Sequence, residues 1–234
     1  MKKHYRYLLF DLDNTLFDFD RAEKSAFCAA FSAYGLVFDD GIYDKYHQIN
    51  DALWKKLERG EIERERLKSL RFEMLLAELH IPDKDALSEK VSRSYFKLLG
   101  EQKFLLPGAV DVCRELHEKY RMFIITNGSV QVQKGRYFGS PIEPYFEKIF
   151  ISEVIGAAKP STDFFDHVLH ALGDPLKEEC CVIGDSLSSD IAGAENAGID
   201  AIWLDRSGIS DTQGHTVTHI LRDIRELPAY LASL

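Results

Sequence analysis

The chain has 234 residues, 45% hydrophobic and 29% charged, with a net charge of −9. This is an ordinary globular composition, long enough for one large domain or a domain carrying an insertion. The acidic balance excludes a general nucleic-acid binder, because a polyphosphate backbone needs a basic surface, and no window approaches the roughly 20 apolar residues of a membrane span.

In chain order, the first apolar run is YRYLLFD (5–11). It is too short for a signal-peptide core, so the expectation is a cytoplasmic protein. It reads as a buried strand, since it does not alternate with polar residues. Residues 17 to 104 break the strand pattern. Phe27, Ala30, Phe31 and Tyr34 mark one helix there, and Leu67, Leu70, Met74 and Leu75 another. Charges crowd the opposite faces, as in ERGEIERER, which reads as solvated helix surface or a turn. An all-helical insertion is predicted over 17–104, flanked by an α/β core of 1–16 and 105–234.

From residue 108 strands and helices alternate. MFIITN (122–127), EKIFIS (147–152), CCVIGD (180–185), DAIWLD (200–205) and the weaker THIL (218–221) read as strands. Val112, Cys113, Leu116 and Tyr120 form one helical stripe; Phe164, Phe165, Val168, Leu169 and Leu172 form another. A short helix around Ala192–Ala197 ends at Gly198, a C-terminal cap. The pattern predicts an α/β fold with an open, Rossmann-like parallel sheet and right-handed crossovers. Cys28, Cys113, Cys180 and Cys181 lack metal-site or disulfide spacing; Cys180 and Cys181 should face opposite sides of a strand.

The chemistry gathers at strand ends. In DLDNT (11–15), Asp11 and Asp13 sit at i and i+2 and so point the same way. Beyond the carboxyl end of a strand is where open α/β sheets bind ligands. Taken alone, these are also ordinary turn and capping residues. Three further stretches join them: Thr126, Asn127, Gly128 and Ser129; Lys159 before Pro160; and GDSLSSD (184–190), with Asp185 and Asp190. A phosphate dianion needs positive charge and directed donors. Lys159 offers the charge, Thr126 a hydroxyl, and Gly128 close backbone approach. Oxygens of Asp11, Asp13 and Asp185 are hard ligands suited to Mg²⁺, which would offset their repulsion toward phosphate.

These four ordered motifs resemble those of the haloacid dehalogenase-like hydrolase superfamily, and the insertion resembles its helical cap. The resemblance implies Asp11 as a nucleophile forming an aspartyl-phosphate and Asp13 as general acid, then base. It implies Thr126 and Lys159, with Asn127 alongside, as phosphoryl-binding groups. Mg²⁺ would be held by the Asp11 carboxylate, the Asp13 backbone carbonyl and Asp185, with Asp190 reaching it through a bound water. Dehalogenase members lack an acid at the position of Asp13, so the chain resembles the phosphatase and phosphomutase branch. INDALWKKLERGEI, TNGSVQVQKGR and GDSLSSDIAGAENAGI further resemble a bacterial subgroup of pyrimidine 5′-nucleotidase-like, house-cleaning phosphatases. The implied partner is a small phosphate ester, chiefly a nucleoside monophosphate. No nucleic-acid polymer or membrane is expected, and the protein should be a monomer or weak dimer.

A phosphosugar mutase would use the same core chemistry and stays open. A phospho-accepting signalling module would place its Asp mid-domain and lack the helical insertion. The EF-hand and P-loop readings fail on spacing: Leu16 stands where a calcium loop needs Gly, and no glycine precedes Lys159. His167 with His170, and His215 with His219, are read as surface or hydrogen-bonded histidines. Phe17, Phe19, Trp54 and Lys55 are candidate cap or hinge residues.

Overall fold

In the computed structural model, which describes residues 3–234 apart from the side chain of Glu58, the six apolar runs become one all-parallel sheet. The strands are β1 (Tyr7–Phe10), β2 (Arg121–Thr126), β3 (Lys148–Ile151), β4 (Cys180–Gly184), β5 (Asp200–Leu204) and β6 (His219–Leu221), in spatial order β3-β2-β1-β4-β5-β6. From β1 the chain builds outward on one side through β2 and β3, then crosses to β4 on the other. The crevice outside the carboxyl ends of β1 and β4 is therefore the topological switch point, where such sheets bind ligands. Phe10 pairs with Ile124 on one side and Ile183 on the other, so β2 runs two residues beyond the end of β1 and β4 one residue beyond it.

Ten α-helices are present among the described residues: α1 (Phe19–Ala33), α2 (Asp40–Glu58), α3 (Arg64–Glu78), α4 (Leu87–Glu101), α5 (Ala109–Leu116), α6 (Val130–Tyr137), α7 (Ser152–Ile155), α8 (Thr162–Ala171), α9 (Ala192–Ala197) and α10 (Leu227–Ala232). Side-chain alternation divides the sheet's two faces. Leu8, Phe10, Ile124, Cys181 and Ile183 pack with Val112, Cys113, Leu116, Leu227 and Leu231 of α5 and α10. Tyr7, Leu9, Ile125, Cys180 and Val182 pack with Phe164, Phe165, Val168, Ala194 and Ala197 of α8 and α9. The adjacent cysteines thus fill opposite layers, as the strand period requires, and Cys113, Cys180 and Cys181 are buried free thiols. No described helix is long and apolar enough to cross a membrane.

The chain divides into two compact units, Met1–Asp20 with Lys103–Leu234, and Arg21–Gln102. The second is helical and has an aromatic core. Phe27 lies 4.2 Å from Phe31 and 4.5 Å from Tyr46 between ring centroids, and Phe72 lies 5.3 Å from Tyr95. Two residues of the expected stripes fall outside it. Tyr34 follows the end of α1, where Gly35 turns with φ of 68°, and its hydroxyl bonds Lys90 O and Ser94 Oγ. Met74 is exposed, because α3 buries Leu67, Arg71, Phe72, Leu75 and Leu76 instead. In the core unit, Tyr120 lies beyond α5, in the turn before β2.

A carboxylate sits inside the helical unit. Glu23 is fully buried and accepts from Asn50 Nδ2 at 2.9 Å, Tyr43 Oη at 3.2 Å and Tyr95 Oη at 3.3 Å, with His47 Nδ1 at 3.2 Å. A buried anion is tolerated only when its oxygens are satisfied in this way. Replacing it would leave several buried donors unpaired. Glu23→Ala is therefore expected to lower the unfolding free energy by about 2–4 kcal/mol, read from the midpoint of urea unfolding. A midpoint equal to that of the unsubstituted protein would show that the cluster does not hold the helices together.

Candidate active site

Each strand end delivers one polar group to the switch point. Asp11 follows β1, and its backbone amide continues the ladder to Ile183 O at 2.8 Å. Thr126 ends β2. Asp185 follows β4, with its carbonyl held by Trp203 Nε1 at 2.8 Å and its carboxylate facing Thr15 Oγ1 at 3.5 Å. Lys159 comes from the loop before α8, which starts at Thr162 behind the Ser161 cap.

Lys159 knits the site together. Its ammonium is buried and donates to Asp11 Oδ1 at 2.6 Å, Asp190 Oδ1 at 2.5 Å and the carbonyl of Ile125 at 2.9 Å. Its three hydrogens thus have three acceptors. Asn127 brackets the same residue from the backbone: its Nδ2 donates to Lys159 O at 2.8 Å, and its Oδ1 accepts from Lys159 N at 2.9 Å. Asp190 enters from a turn of π-helix, Leu187–Ile191, a form that recurs at functional sites. Its Oδ2 accepts from the Ser186 amide at 3.1 Å. The approach is close enough to require glycine opposite, since a Cβ on Gly184 would meet Asp190 Cγ at 2.3 Å.

The carboxylates of Asp11, Asp185 and Asp190 offer oxygens within 4.8 Å of one another, and this is the one such acidic group found among the described residues. His170 and His215 face carboxylates of Asp174 and Glu195 instead. Three anions against one lysine leave the cluster short of positive charge. Burial pushes the Asp11 carboxyl up to about 7; Lys159 opposes the rise, while Asp190 and Asp13 add to it. Burial likewise raises Asp185 well above the usual carboxylate range, aided by Asp11 and Asp190. Burial alone would depress Lys159, but Asp11 and Asp190 more than offset it and hold the ammonium charged. Buried, clustered, hard oxygen donors with excess negative charge fit a divalent cation such as Mg²⁺.

Asp13 is set differently. Its carboxylate turns toward α6, where Gln133 Nε2 donates to Oδ2 at 2.6 Å and Arg136 Nη1 pairs with Oδ1. Neither Gln133 nor Arg136 is among the residues that sequence reasoning singles out. Phe17 is buried and Phe19 half-buried, and the Arg136 guanidinium lies over both rings at 4.8 and 5.4 Å. Trp54 and Lys55 lie in the helical unit, where Arg64 covers the Trp54 ring and Lys55 is exposed. Beside Asp185 a pocket of about 410 Å³ opens, lined also by Asn14, Trp203 and Arg206.

Residues 5–198 match the model of the haloacid dehalogenase-like hydrolase family. The chain belongs to that family. Relatives cover nearly all of it. The crystal structure of the HAD-hydrolase YfnB from Bacillus subtilis, described as bound to magnesium and revealing interdomain movement, superposes with a TM-score of 0.91 at 32% identity, covering 98% of this chain and 99% of that one. The pyrimidine 5′-nucleotidase PynA of Streptococcus pneumoniae is 38% identical over 85% of this chain and 83% of its own length. The pyrimidine 5′-nucleotidase YjjG of Escherichia coli is 29% identical over 96% of this chain and 97% of its own. As a haloacid dehalogenase-like hydrolase the protein is an enzyme, not a signalling or binding module.

The electrostatics of this hydrolase site set a pH dependence. Asp11 holds its proton up to about 7 in the folded site, against 3.8 for an ordinary aspartate. A raised carboxyl stabilises the metal-free fold below the unfolded value, and that contribution is lost as pH climbs through the folded one. A cation held by this cluster would bind the ionised form, so its stabilising effect would grow over the same window. Magnesium at about 10 mM should raise the thermal midpoint by about 2–6 °C at pH 8 and less than about 1 °C at pH 5.5. Thermal denaturation at the two pH values checks this, and an equal shift at both would contradict it.

Proposed function

We propose that this hydrolase is a Mg²⁺-dependent phosphomonoesterase that works through a phosphorylated Asp11, with a pyrimidine nucleoside 5′-monophosphate as its substrate class. The observation that carries the reading is the buried Lys159 ammonium, which donates to Asp11 Oδ1 at 2.6 Å beside the end of β2 that carries Thr126. A lysine in that place orients a carboxylate for attack and neutralises the anion it attacks.

The phosphate of the ester is bound by the Thr126 hydroxyl and by Lys159, whose backbone Asn127 holds in place. Asp11 attacks phosphorus, the phosphorus–oxygen ester bond breaks, and Asp13 gives its proton to the departing oxygen. Water then attacks the same phosphorus while Asp13 takes a proton from it. The bond to Asp11 breaks and phosphate leaves, so the carboxylate is regenerated. Splitting hydrolysis in this way replaces one difficult step with two easier ones. The side chains of Asp11 and Asp185 and the Asp13 carbonyl would hold Mg²⁺, with Asp190, already tied to Lys159 and the Ser186 amide, acting through a bound water. When bound, the ion supplies the charge neutralisation that lets an anionic nucleophile approach an anionic phosphate.

Two points support hydrolysis of a phosphate ester over that of a carbon–halogen bond, and a nucleotide as the ester. Asp13 provides a proton donor that an alkoxide leaving group needs and a halide does not. PynA and YjjG, each aligned over more than four-fifths of this chain, are described as pyrimidine 5′-nucleotidases. Phosphate release from uridine and thymidine monophosphates, compared with purine nucleotides and sugar phosphates in the presence of Mg²⁺, tests the reading. Pyrimidine nucleotides should give the highest kcat/KM, and Asp11→Asn should lower kcat by at least about 10³-fold with the fold intact. Isomerisation of a hexose phosphate without phosphate release, or normal turnover by Asp11→Asn, would contradict it.

A further inference from the structure

Asp13 is held from both sides by one helix. Gln133 and Arg136 lie three residues apart on α6 and so share a face. Both are almost completely buried. Gln133 Nε2 takes Oδ2 of Asp13 at 2.6 Å, while the Arg136 guanidinium takes Oδ1. Arg136 is itself fixed, lying over the rings of Phe17 at 4.8 Å and Phe19 at 5.4 Å. These rings belong to the segment that follows Asp13, and Phe17 pairs back to it: the Asn14 amide donates to Phe17 O at 2.8 Å. The carboxylate, its loop and its two donors thus form one packed block.

The second hydrogen of Gln133 extends this block to the phosphoryl-binding side. The same Nε2 donates to Thr126 Oγ1 at 3.0 Å, and the Gly128 amide donates to that oxygen at 3.1 Å. With both acceptor sites of the hydroxyl filled, its own hydrogen is left to point elsewhere. Gly128 makes room for the arrangement. A Cβ there would meet Gln133 Nε2 at 2.0 Å and Cδ at 2.5 Å, so only a residue without a side chain lets Gln133 reach across.

We propose that Gln133 and Arg136 are positioning residues for the proton-transfer step: they fix the Asp13 carboxylate, and Gln133 at the same time orients the Thr126 hydroxyl toward the phosphoryl group. The assignment rests on the reading of Asp13 as the acid and base given above. It places the geometric control of leaving-group protonation on α6. A purely structural buried arginine would affect all substrates alike. A positioning residue affects those esters whose leaving oxygen needs a proton.

The test is a leaving-group series of phosphate monoesters, from dinitrophenyl and nitrophenyl phosphate to an alkyl phosphate and a nucleoside monophosphate, with Mg²⁺. R136M should lower kcat about 10- to 100-fold on the alkyl esters and less than about threefold on dinitrophenyl phosphate, with KM within about threefold. Q133A should show the same leaving-group dependence of kcat, with KM raised about 3- to 10-fold on every ester because Thr126 loses its orienting donor. R136K should recover about tenfold on the alkyl esters, because it restores one donor to Oδ1. G128A should reproduce the Q133A profile, and G128A/Q133A should match Q133A within about twofold, since the colliding side chain is gone. Near-ultraviolet circular dichroism identifies any variant that fails to fold. If R136M does so, the leaving-group profiles of Q133A and G128A decide the question. Uniform slowing across the series, or no slowing, overturns the assignment. If the unsubstituted enzyme releases phosphate from no ester, the functional reading falls and this inference with it. If it hydrolyses the whole series and the variants keep its leaving-group dependence, the inference alone falls.

Discussion

A lysine buried between two carboxylates sets the terms for this active site. An ammonium removed from water costs several kcal/mol unless opposite charge and hydrogen-bond acceptors surround it. Lys159 meets both conditions, through Asp11, Asp190 and the Ile125 carbonyl. The same contact explains why three acidic groups can gather at one sheet edge. Without Lys159 they would repel one another in a poorly solvated place, and with it they still lack the positive charge that a divalent cation supplies. Sheet topology makes the meeting possible, since β2, β1 and β4 are neighbours whose ends lie within two residues of one another.

Around that contact the fold shows a division of labour. Asp11, Thr126 and Asp185 are short side chains at or just beyond strand ends, whereas the Lys159 ammonium reaches Asp11 from a loop. Groups that hold them come from a loop, a neighbouring strand and a helix: Asn127 clamps the backbone of Lys159, Trp203 of β5 the carbonyl of Asp185, and Gln133 with Arg136 of α6 the carboxylate of Asp13. Such support keeps a site preorganised, which is where most phosphoryl-transfer catalysis originates. Two glycines mark the tightest approaches, Gly184 against Asp190 and Gly128 against Gln133.

The sheet is legible in the sequence because strands covered on both faces are continuously apolar, as YLLF, MFII, CCVI and AIWL are, while the edge strands β3 and β6 begin with Lys148 and His219. The strand-end residues are legible for the same reason: polar residues that end such runs stand out. The supporting residues are not. VQVQKGRY has no apolar stripe, so Gln133 and Arg136 look like the solvated face of a surface helix. What could draw attention to them is their spacing of three on the helix that follows Thr126. Glu23 and Arg71 are hidden in the same way, as charges in helices whose exposed faces are also charged. Tyr34 and Met74 fall outside the stripes expected of them because helical periodicity does not say where a helix stops, and because α3 buries an arginine where periodicity asks for an apolar residue.

Under the proposed mechanism, Asp11, Thr126, Lys159 and Asp185 serve one phosphorus atom and one divalent ion. A crystal structure of the enzyme grown with Mg²⁺ and beryllium fluoride, a mimic of a bound phosphoryl group, tests it most directly. The fluoride mimic is expected on an Asp11 oxygen, contacted by Thr126 and Lys159, with the cation on Asp11 and Asp185. A mimic bound elsewhere, or a cation held by other side chains, would contradict it.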